Sequence, residues 1–460
     1  MATQDYRTLS FWHDSLPEPI EPRAPLEREE QVDVAIVGAG YTGLWTAYYL
    51  KALQPDIRVA VLESEFAGFG ASGRNGGWCE GFTAGGDVAL ADTKQRPAAL
   101  ALQRAMFDTV DEVGRVAERE GIDCHFKKGG YLRLATSTPQ LEDLREAMKF
   151  YREIGLGDDV HRWLEPGESA QRIRVPRCKG AIYSPHCAAI HPARLAVGLA
   201  EAGVRKGVAL YERSPALRIE DRRVVTPGGA LRADVVVRAV EGYTPRLPGE
   251  RRTVIPLHSM MIATEPLSEE MWKEIGLAER ETFADSRRTV TYGQRTVDGR
   301  IAFGYRGYYY YGSGIRDRFP ADDPIFPKVH EALLSLLPML EGVRITHRWG
   351  GPLAVPRDWR PAVGLDRSTG RAWAGGYVGE GVAATNLAAR TLVDLILQRD
   401  TDLARLPWVG HVWPRWEPEP LRWMGVIGVR SVGDSADAFE FERDRAPRLR
   451  SAIFDFFVKK

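Results

Sequence analysis

Cysteine, net charge and long apolar runs are all scarce in this chain. Only four cysteines occur in 460 residues, Cys79, Cys124, Cys178 and Cys187, and no two form a Cys-x-x-Cys pair. That spacing excludes a disulfide framework or a zinc site as the organising feature, and reduced thiols in a cytoplasmic protein are the plain reading. Lys+Arg and Asp+Glu both total 62, so the formal net charge is zero. Such a balance gives no reason to expect nucleic acid or an anionic membrane as partner. No stretch approaches the roughly 18 apolar residues that span a bilayer. The first 30 residues carry Asp14, Glu18 and Glu21 where a signal peptide would have its apolar core. No catalytic triad or metal cluster stands out. His186 and His191 lack a third ligand at suitable spacing, so structural roles are expected for both and no metal is expected.

What is present is an ordinary globular composition, 44% hydrophobic, with a length that implies two or three domains. Residues 1–30 read as an extended, Pro-rich arm, and 31–64 as strand, helix, strand. Helical periodicity marks 95–120, 138–154, about 190–203, 323–341 and 385–398. Short strands are predicted at 208–211, 216–219, 223–225 and 234–240, and residues 251–310 alternate β-like runs with turns. After Leu406 the chain is rich in Trp and Pro, then basic and helical.

The informative segment begins at Val32. Residues 32–37, V-D-V-A-I-V, form a near-continuous apolar run, as a strand buried on both faces of a parallel sheet requires. Gly38-Ala39-Gly40-Tyr41-Thr42-Gly43 follows at once and gives G-x-G-x-x-G. Gly38 permits the tight turn, Gly40 lets backbone approach a pyrophosphate, and Gly43 lets helix and strand pack closely. The helix N-terminus offers N–H groups and partial positive charge to that pyrophosphate. A second strand, 58–62, ends at Glu63, followed by Ser64; Glu63 stands 20 residues past Gly43, where a carboxylate accepts from ribose hydroxyls. This unit alone does not choose between FAD and NAD. The next stretch, Gly70-Ala71-Ser72-Gly73-Arg74-Asn75-Gly76-Gly77, stays small and flexible, which suits backbone passing close to a flat ring system.

On these residues the chain resembles the D-amino-acid oxidase-like FAD-dependent oxidoreductases, on the branch that contains γ-glutamylputrescine oxidase. The resemblance rests on V-A-I-V-G-A-G-Y-T-G-L from Val34 and G-A-S-G-R-N-G-G from Gly70. It continues in S-P-H-C-A-A-I-H-P-A-R-L from Ser184, V-V-V-R-A-V-E-G-Y-T-P from Val235 and G-G-Y-V-G-E-G-V from Gly375. It implies an α/β fold: a Rossmann-type FAD-binding domain (31–90, 190–245 and 345–400) interleaved with a substrate domain on an antiparallel sheet (91–189 and 246–344). A C-terminal extension, 401–460, follows. The resemblance assigns Gly38 to Gly43, Glu63 and Ser64 to the ADP half of FAD. Gly70, Ala71, Ser72, Arg74, Asn75, Gly76 and Gly77 would run along the flavin, and Ala216 and Leu217 would meet the adenine. Ala239 joins the cofactor set, as does the loop holding Gly376, Val378, Gly379, Gly381 and Val382 at the isoalloxazine carbonyl edge. Covalently attached members use a late Cys or a His near position 74; here no Cys follows Cys187 and Arg74 is not His, so FAD is expected to be non-covalent.

The chemistry the resemblance implies is oxidation of a C–N bond in an amine or amino acid. A hydride passes to flavin N5, the imine is hydrolysed, and O₂ reoxidises the flavin to give peroxide. A flavin dehydrogenase with another acceptor, or a non-catalytic FAD-stabilised binding module, are the alternatives. The run Tyr305-Arg306-Gly307-Tyr308-Tyr309-Tyr310-Tyr311 supplies aromatic walls and an Arg able to hold a carboxylate bidentately. Arg306, Tyr308, Tyr311, His258 and Tyr377 are therefore the candidate catalytic residues, and Trp349 is assigned to packing. Neither the identity of the amine nor the oligomeric state is written in these motifs.

Overall fold

A computed structural model describes residues 5–458. Two eight-stranded sheets and a two-stranded ribbon organise them. The first sheet is centred on the strand Glu29–Val37, whose last four residues are buried. It pairs in parallel with Val59–Leu62 and with Ala230–Arg238. Ala209–Tyr211 extends the parallel set on one side and Arg371–Gly375 on the other, where Ala362–Asp366 closes it antiparallel. Both faces are covered, as parallel sheets require. On one face the helices Tyr41–Leu53, Pro192–Arg205 and Gly381–Ile396 pack Trp45, Leu195, Leu199 and Leu387 against Val34 and Ile36. On the other face Ala35, Val37, Ala60 and Leu62 meet Val224 and Leu231.

The second sheet runs Ile345–Val355, Ile255–Thr264, Ile301–Tyr308, Thr291–Arg295, Thr282–Asp285, Tyr131–Ala135, Gly180–Ser184, Arg162–Leu164. It is antiparallel apart from one parallel pair, Thr282–Asp285 with Tyr131–Ala135. The helix Ile325–Leu336 buries Phe326, Val329 and Leu333 against Met260, Ile262 and Phe303. This is the α/β architecture the motifs imply, a Rossmann-type sheet interleaved with a mainly antiparallel one.

Several boundaries differ from the sequence reading. The N-terminal arm is not wholly extended: Arg7–Leu9 forms a 3-10 turn and Phe11–Asp14 a short helix. Phe11 and Trp12 are buried against Met261, Ala302 and Trp349, so apolar burial overrides the Pro-rich extended tendency. The last segment of the first sheet begins at Ala362, because Ile345–Val355 pairs with Ile255–Thr264 in the second sheet. The extension folds as two helices, Leu421–Arg443 and Arg448–Val458. Among the described residues no helix is long and apolar enough to cross a membrane.

Candidate active site

Between the two sheets lies a cavity of about 590 Å³, reaching from the end of the first strand to the strands of the second sheet. One end is built from backbone. Gly38 sits at φ +106°, and a Cβ there would meet the carbonyl oxygen of Ala239 at 2.5 Å. A Cβ on Gly43 would stand 1.9 Å from the Gly38 oxygen, so the helix can approach the strand only without a side chain. Gly40 differs: its Cβ would touch only Ser72 Oγ, at 3.0 Å, and its bare α-carbon faces the cavity. Tyr41 N donates to the same Ser72 Oγ at 2.8 Å, which seats the flavin-edge segment on the start of the helix.

Glu63 is held at the cavity wall by three donors. Ala39 N reaches Oε2 at 2.8 Å, and Ser64 Oγ and Glu65 N reach Oε1, each at 3.1 Å. Burial nevertheless raises its pKa above the ordinary glutamate value, the hydrogen bonds only partly offsetting it. Asn75 fixes the next segment: Nδ2 donates to the Ala71 and Ser72 oxygens, and Oδ1 accepts from Gly77 N at 2.7 Å. Arg74 is buried, giving Nε to Phe69 O at 2.7 Å and Nη1 to Asp317 O at 2.8 Å. Glu241 accepts from Gly376 N and Tyr377 N, and its buried carboxyl is pushed up to about 7 by desolvation. Tyr377 OH meets Thr42 Oγ1 at 3.0 Å. Four motifs far apart in the chain thus close on one space.

The other end is built from long side chains. Arg306 packs on Gly379, where a Cβ would lie 2.8 Å from Nη2, and it lines the cavity with Glu80 and Glu380. Arg306 Nε and Glu380 Oε2 are buried with no hydrogen-bond partner in the protein. Burial raises both glutamates well above the ordinary carboxylate range; Glu380 adds to the rise of Glu80 and Asp87 to that of Glu380, and Arg306 lowers both. Tyr292 OH pairs with Ser259 Oγ at 2.6 Å, and its ring lies where Cβ atoms on Gly76 and Gly304 would be. Arg133 gives Nε to Ser286 Oγ at 3.2 Å and borders the same space, as do Tyr131 and Asp87.

The structure brings most of the sequence-selected residues to this wall: Gly38, Gly40, Tyr41, Thr42, Glu63 and Ser64 at the turn, and Gly70, Ala71, Ser72, Arg74, Asn75 and Gly76 beside it. Ala216, Ala239, Arg306, Tyr377, Gly379, Gly381 and Val382 also border it. Others stand behind the wall. Ala39 contributes its N–H to Glu63 while its methyl is buried in the core. Gly43 supports the turn from beneath. Gly77 backs onto Gln294 and Ile190, and Gly376 onto Trp413. Val378 packs with Ile255, Leu257 and Tyr309. Leu217 is half exposed outside the cavity, whose wall here is made by Pro215 and Ala216.

Three catalytic candidates are corrected. His258 and Tyr308 are cross-strand partners, and Ser259 pairs with Arg306. The register slips here because Gly307, at φ +114°, is an extra residue in its strand. A bulge breaks the two-residue alternation. Arg306 and Ser259 therefore border the cavity, while Tyr308 and His258 do not. His258 Nε2 accepts from Arg316 N at 3.1 Å, and its ring meets Tyr310 and Phe319. Burial pushes its pKa down to about 4. Tyr311 is 62% exposed, against Trp423. The reading missed Glu80, Glu380, Arg133 and Tyr292. Glu380 lay in plain view inside G-G-Y-V-G-E-G-V; the other three carry no local signal.

Comparison with known proteins fits this geometry. Residues 33–395 match the family model described as DAO, FAD dependent oxidoreductase. The chain belongs to this family of FAD-dependent oxidoreductases. Gamma-glutamylputrescine oxidoreductase of Escherichia coli strain K12 is 30% identical over 384 residues, 82% of this chain and 86% of that protein. The probable oxidoreductase OrdL of Rhizobium meliloti is 31% identical over 407 residues, 86% of this chain and 89% of that protein. The crystal structure of glycine oxidase from Geobacillus kaustophilus superposes with a TM-score of 0.67 at 23% identity, over 83% of this chain and 99% of that one. The cofactor of the family is FAD, and the residues present fit it. The bare Gly40 α-carbon, the helix start behind it and the anchored Glu63 suit a dinucleotide's diphosphate and ribose. Ala71 to Gly76 and the Gly379–Val382 loop border the cavity beyond that turn and would be the segments that meet a flat ring.

Proposed function

We propose that this FAD-dependent oxidoreductase holds its cofactor non-covalently and oxidises the C–N bond of a small amine that also bears a carboxylate remote from the reacting nitrogen, with O₂ as acceptor. FAD, when bound, supplies the acceptor for the hydride that leaves the carbon beside nitrogen. The chain's own residues must receive an ammonium ion and dispose of its proton. For an alkylamine with a pKa near ~10.4, deprotonation costs about 4–5 kcal/mol at pH 7. Glu80 and Glu380 meet that need. Carboxyls with raised pKa values are matched to accept a proton near neutrality. Arg306 keeps part of that charge in place and orients Glu380 through the Gly379 contact. Arg133, across the substrate strands, offers a planar donor set to a carboxylate. Water then hydrolyses the imine to a carbonyl, and O₂ takes up two electrons and two protons to leave as peroxide.

The observation that carries this reading is the pair of buried, unpartnered polar atoms, Arg306 Nε and Glu380 Oε2, in the cavity that also holds the glycine turn. Buried polar groups without partners cost about 1–3 kcal/mol each, so a ligand is the economical explanation. The relative named gamma-glutamylputrescine oxidoreductase points to the same substrate type. Anaerobic bleaching of the flavin absorbance tests it. Amines with a distant carboxylate, γ-glutamylputrescine among them, should bleach fastest, and air should restore colour with release of peroxide. Arg133→Ala should raise KM for those amines about 10-fold while leaving plain alkylamines nearly unchanged. If no amine or amino acid bleaches the flavin, the reading fails; if only an artificial acceptor restores colour, O₂ is the wrong acceptor.

A further inference from the structure

Part of the cavity wall is not made by either sheet's own ladder. Residues 286–290 connect the strands Thr282–Asp285 and Thr291–Arg295, and Ser286, Arg287 and Val290 border the cavity. On the inner side the loop touches the site directly: Arg306 N donates to Val290 O at 3.0 Å, and Arg133 Nε to Ser286 Oγ at 3.2 Å. On the outer side it is gripped by the helix Leu421–Arg443, which lies beyond the family match ending at residue 395.

The grip is specific. Asp434, Asp437 and Glu440 recur every three residues and so share one helix face. Asp437 Oδ1 accepts from Arg288 N at 3.0 Å and Oδ2 from Thr289 N at 2.8 Å. Asp434 Oδ1 accepts from Thr289 Oγ1 at 2.7 Å, and Glu440 Oε2 from Arg288 Nη1 at 2.8 Å. Arg288 Nη2 reaches Ser451 Oγ in the last helix at 2.9 Å. Glu440 is almost fully buried, and Arg288 and Asp437 are partly buried. One carboxylate therefore satisfies two successive backbone N–H groups in the middle of a loop whose ends are tied to the second sheet by Ser286 N on Leu134 O and Arg306 N on Val290 O. Charge-assisted bonds of this kind are the strong ones.

We propose that the C-terminal extension shapes the substrate end of the cavity through Asp437, a positioning residue that holds loop 286–290 in place as wall. The assignment rests on the reading that this cavity takes the amine, but the hold itself does not. Loosening the loop should widen the space beside Arg306 and Arg133, so that selectivity among amines falls while the flavin site stays intact.

The test uses the full-length, FAD-loaded protein with Asp437→Ala and the milder Asp437→Asn, which keeps one acceptor oxygen. Flavin loading should match wild type in both. Trypsin should cut after Arg287 or Arg288 at least about tenfold faster in Asp437→Ala, since cleavage follows the population of the open loop. Iodide should quench flavin fluorescence more steeply. Across amines of increasing bulk, KM for the best wild-type substrate should rise about tenfold with kcat little changed, and bulky amines should lose less. Asp437→Asn should fall between. Unchanged cleavage, quenching and selectivity would overturn the proposal, as would a loss confined to thermal stability. Should Asp437→Ala fail to fold, Asp437→Asn and Thr289→Val carry the same readouts. A wild-type protein that no amine bleaches would sink the proposed function, whereas cleavage and quenching would still decide the hold.

Discussion

The two ends of the cavity are made of different material. At the cofactor end the decisive atoms belong to backbone and to three glycines, and everything needed lies between Val32 and Gly77 plus two later loops. At the substrate end the decisive atoms belong to Glu80, Arg133, Tyr292, Arg306 and Glu380, five residues spread over 300 positions and brought together only by the second sheet and the Gly375–Gly381 loop. On the function proposed above, the first end would take something invariant, a dinucleotide, by letting it approach closely. The second would have to select one amine or amino acid among many, which takes charged side chains at defined places. Breaking each end should therefore fail in a different way.

The largest effect is expected at the turn, and it should split between two glycines. Gly43→Ala places a methyl 1.9 Å from the Gly38 oxygen, and backbone must move to relieve it. Overpacking of this kind costs about 1–3 kcal/mol or more, and where the helix meets the central strand it should yield little soluble, colourless protein. Gly40→Ala meets only Ser72 Oγ at 3.0 Å, so the protein should fold with a normal melting profile. Its methyl enters the space of the diphosphate, and FAD affinity should drop at least about tenfold, about 1.4 kcal/mol. Titrating FAD into each purified apoprotein, with circular dichroism alongside, checks both. Equal behaviour of the two variants would show that the cavity is not where the diphosphate lies.

Next in size is Glu380→Gln, which should move activity and stability in opposite directions. Folding holds the Glu380 carboxyl well above its ordinary value of 4.5, chiefly by burial. The ionised form is thus the one the folded state disfavours. Stability is fully present at low pH and declines as pH rises past about 4.5, where the unfolded chain ionises, until the folded group ionises too. An amide removes that cost, so the variant should melt about 1–3 °C above wild type at pH 8. Its kcat/KM should fall about 10²-fold, with FAD content unchanged. The rise of wild-type kcat/KM with pH should flatten in the variant. A variant as active as wild type would remove Glu380 from the proton path and leave Glu80 alone to serve it.

These contrasts explain what could be read from the sequence. The G-x-G-x-x-G turn, Glu63 and the Gly70–Gly77 segment were legible because each requirement is local: a positive φ, a close approach, a carboxylate at the end of the next strand. Tyr377 was legible as part of the site, although its hydroxyl turns to Thr42 rather than to open space. Glu80 and Arg133 were not, because nothing near them in the chain says which sheet they face. His258 and Tyr308 misled for a definite reason. Regular alternation from Arg306 puts Tyr308 on the same face, and only the extra residue Gly307 at φ +114° turns it away; His258 faces away by ordinary alternation, since its neighbour Ser259 borders the cavity. A single bulge is invisible in composition and decisive in three dimensions. The C-terminal helix shows the converse. Its acidic spacing, 434, 437, 440, was present in the sequence but means something only once Arg288 and Thr289 face it.

The smallest expected effect sharpens the comparison as much as the large ones. Tyr311→Ala and Leu217→Ala both alter residues that motif logic placed at the site and the structure places outside it. Tyr311 is 62% exposed and stacks edge-on against Trp423; Leu217 is 50% exposed beyond the adenine side. Substitutions at such surface positions usually stay within about 0.5 kcal/mol, so KM, kcat and FAD affinity should each remain within about twofold of wild type. Steady-state kinetics and a flavin titration on the two variants suffice. A tenfold rise in KM for Tyr311→Ala would mean that the tyrosine run swings inward when substrate binds, and the substrate end would then be partly assembled by motion. No change would mean that the strand's contribution to the site ends at Arg306, leaving the rest of the aromatic run to hold the C-terminal extension, as Tyr305 OH on Asp434 and Tyr309 OH on Glu419 already do.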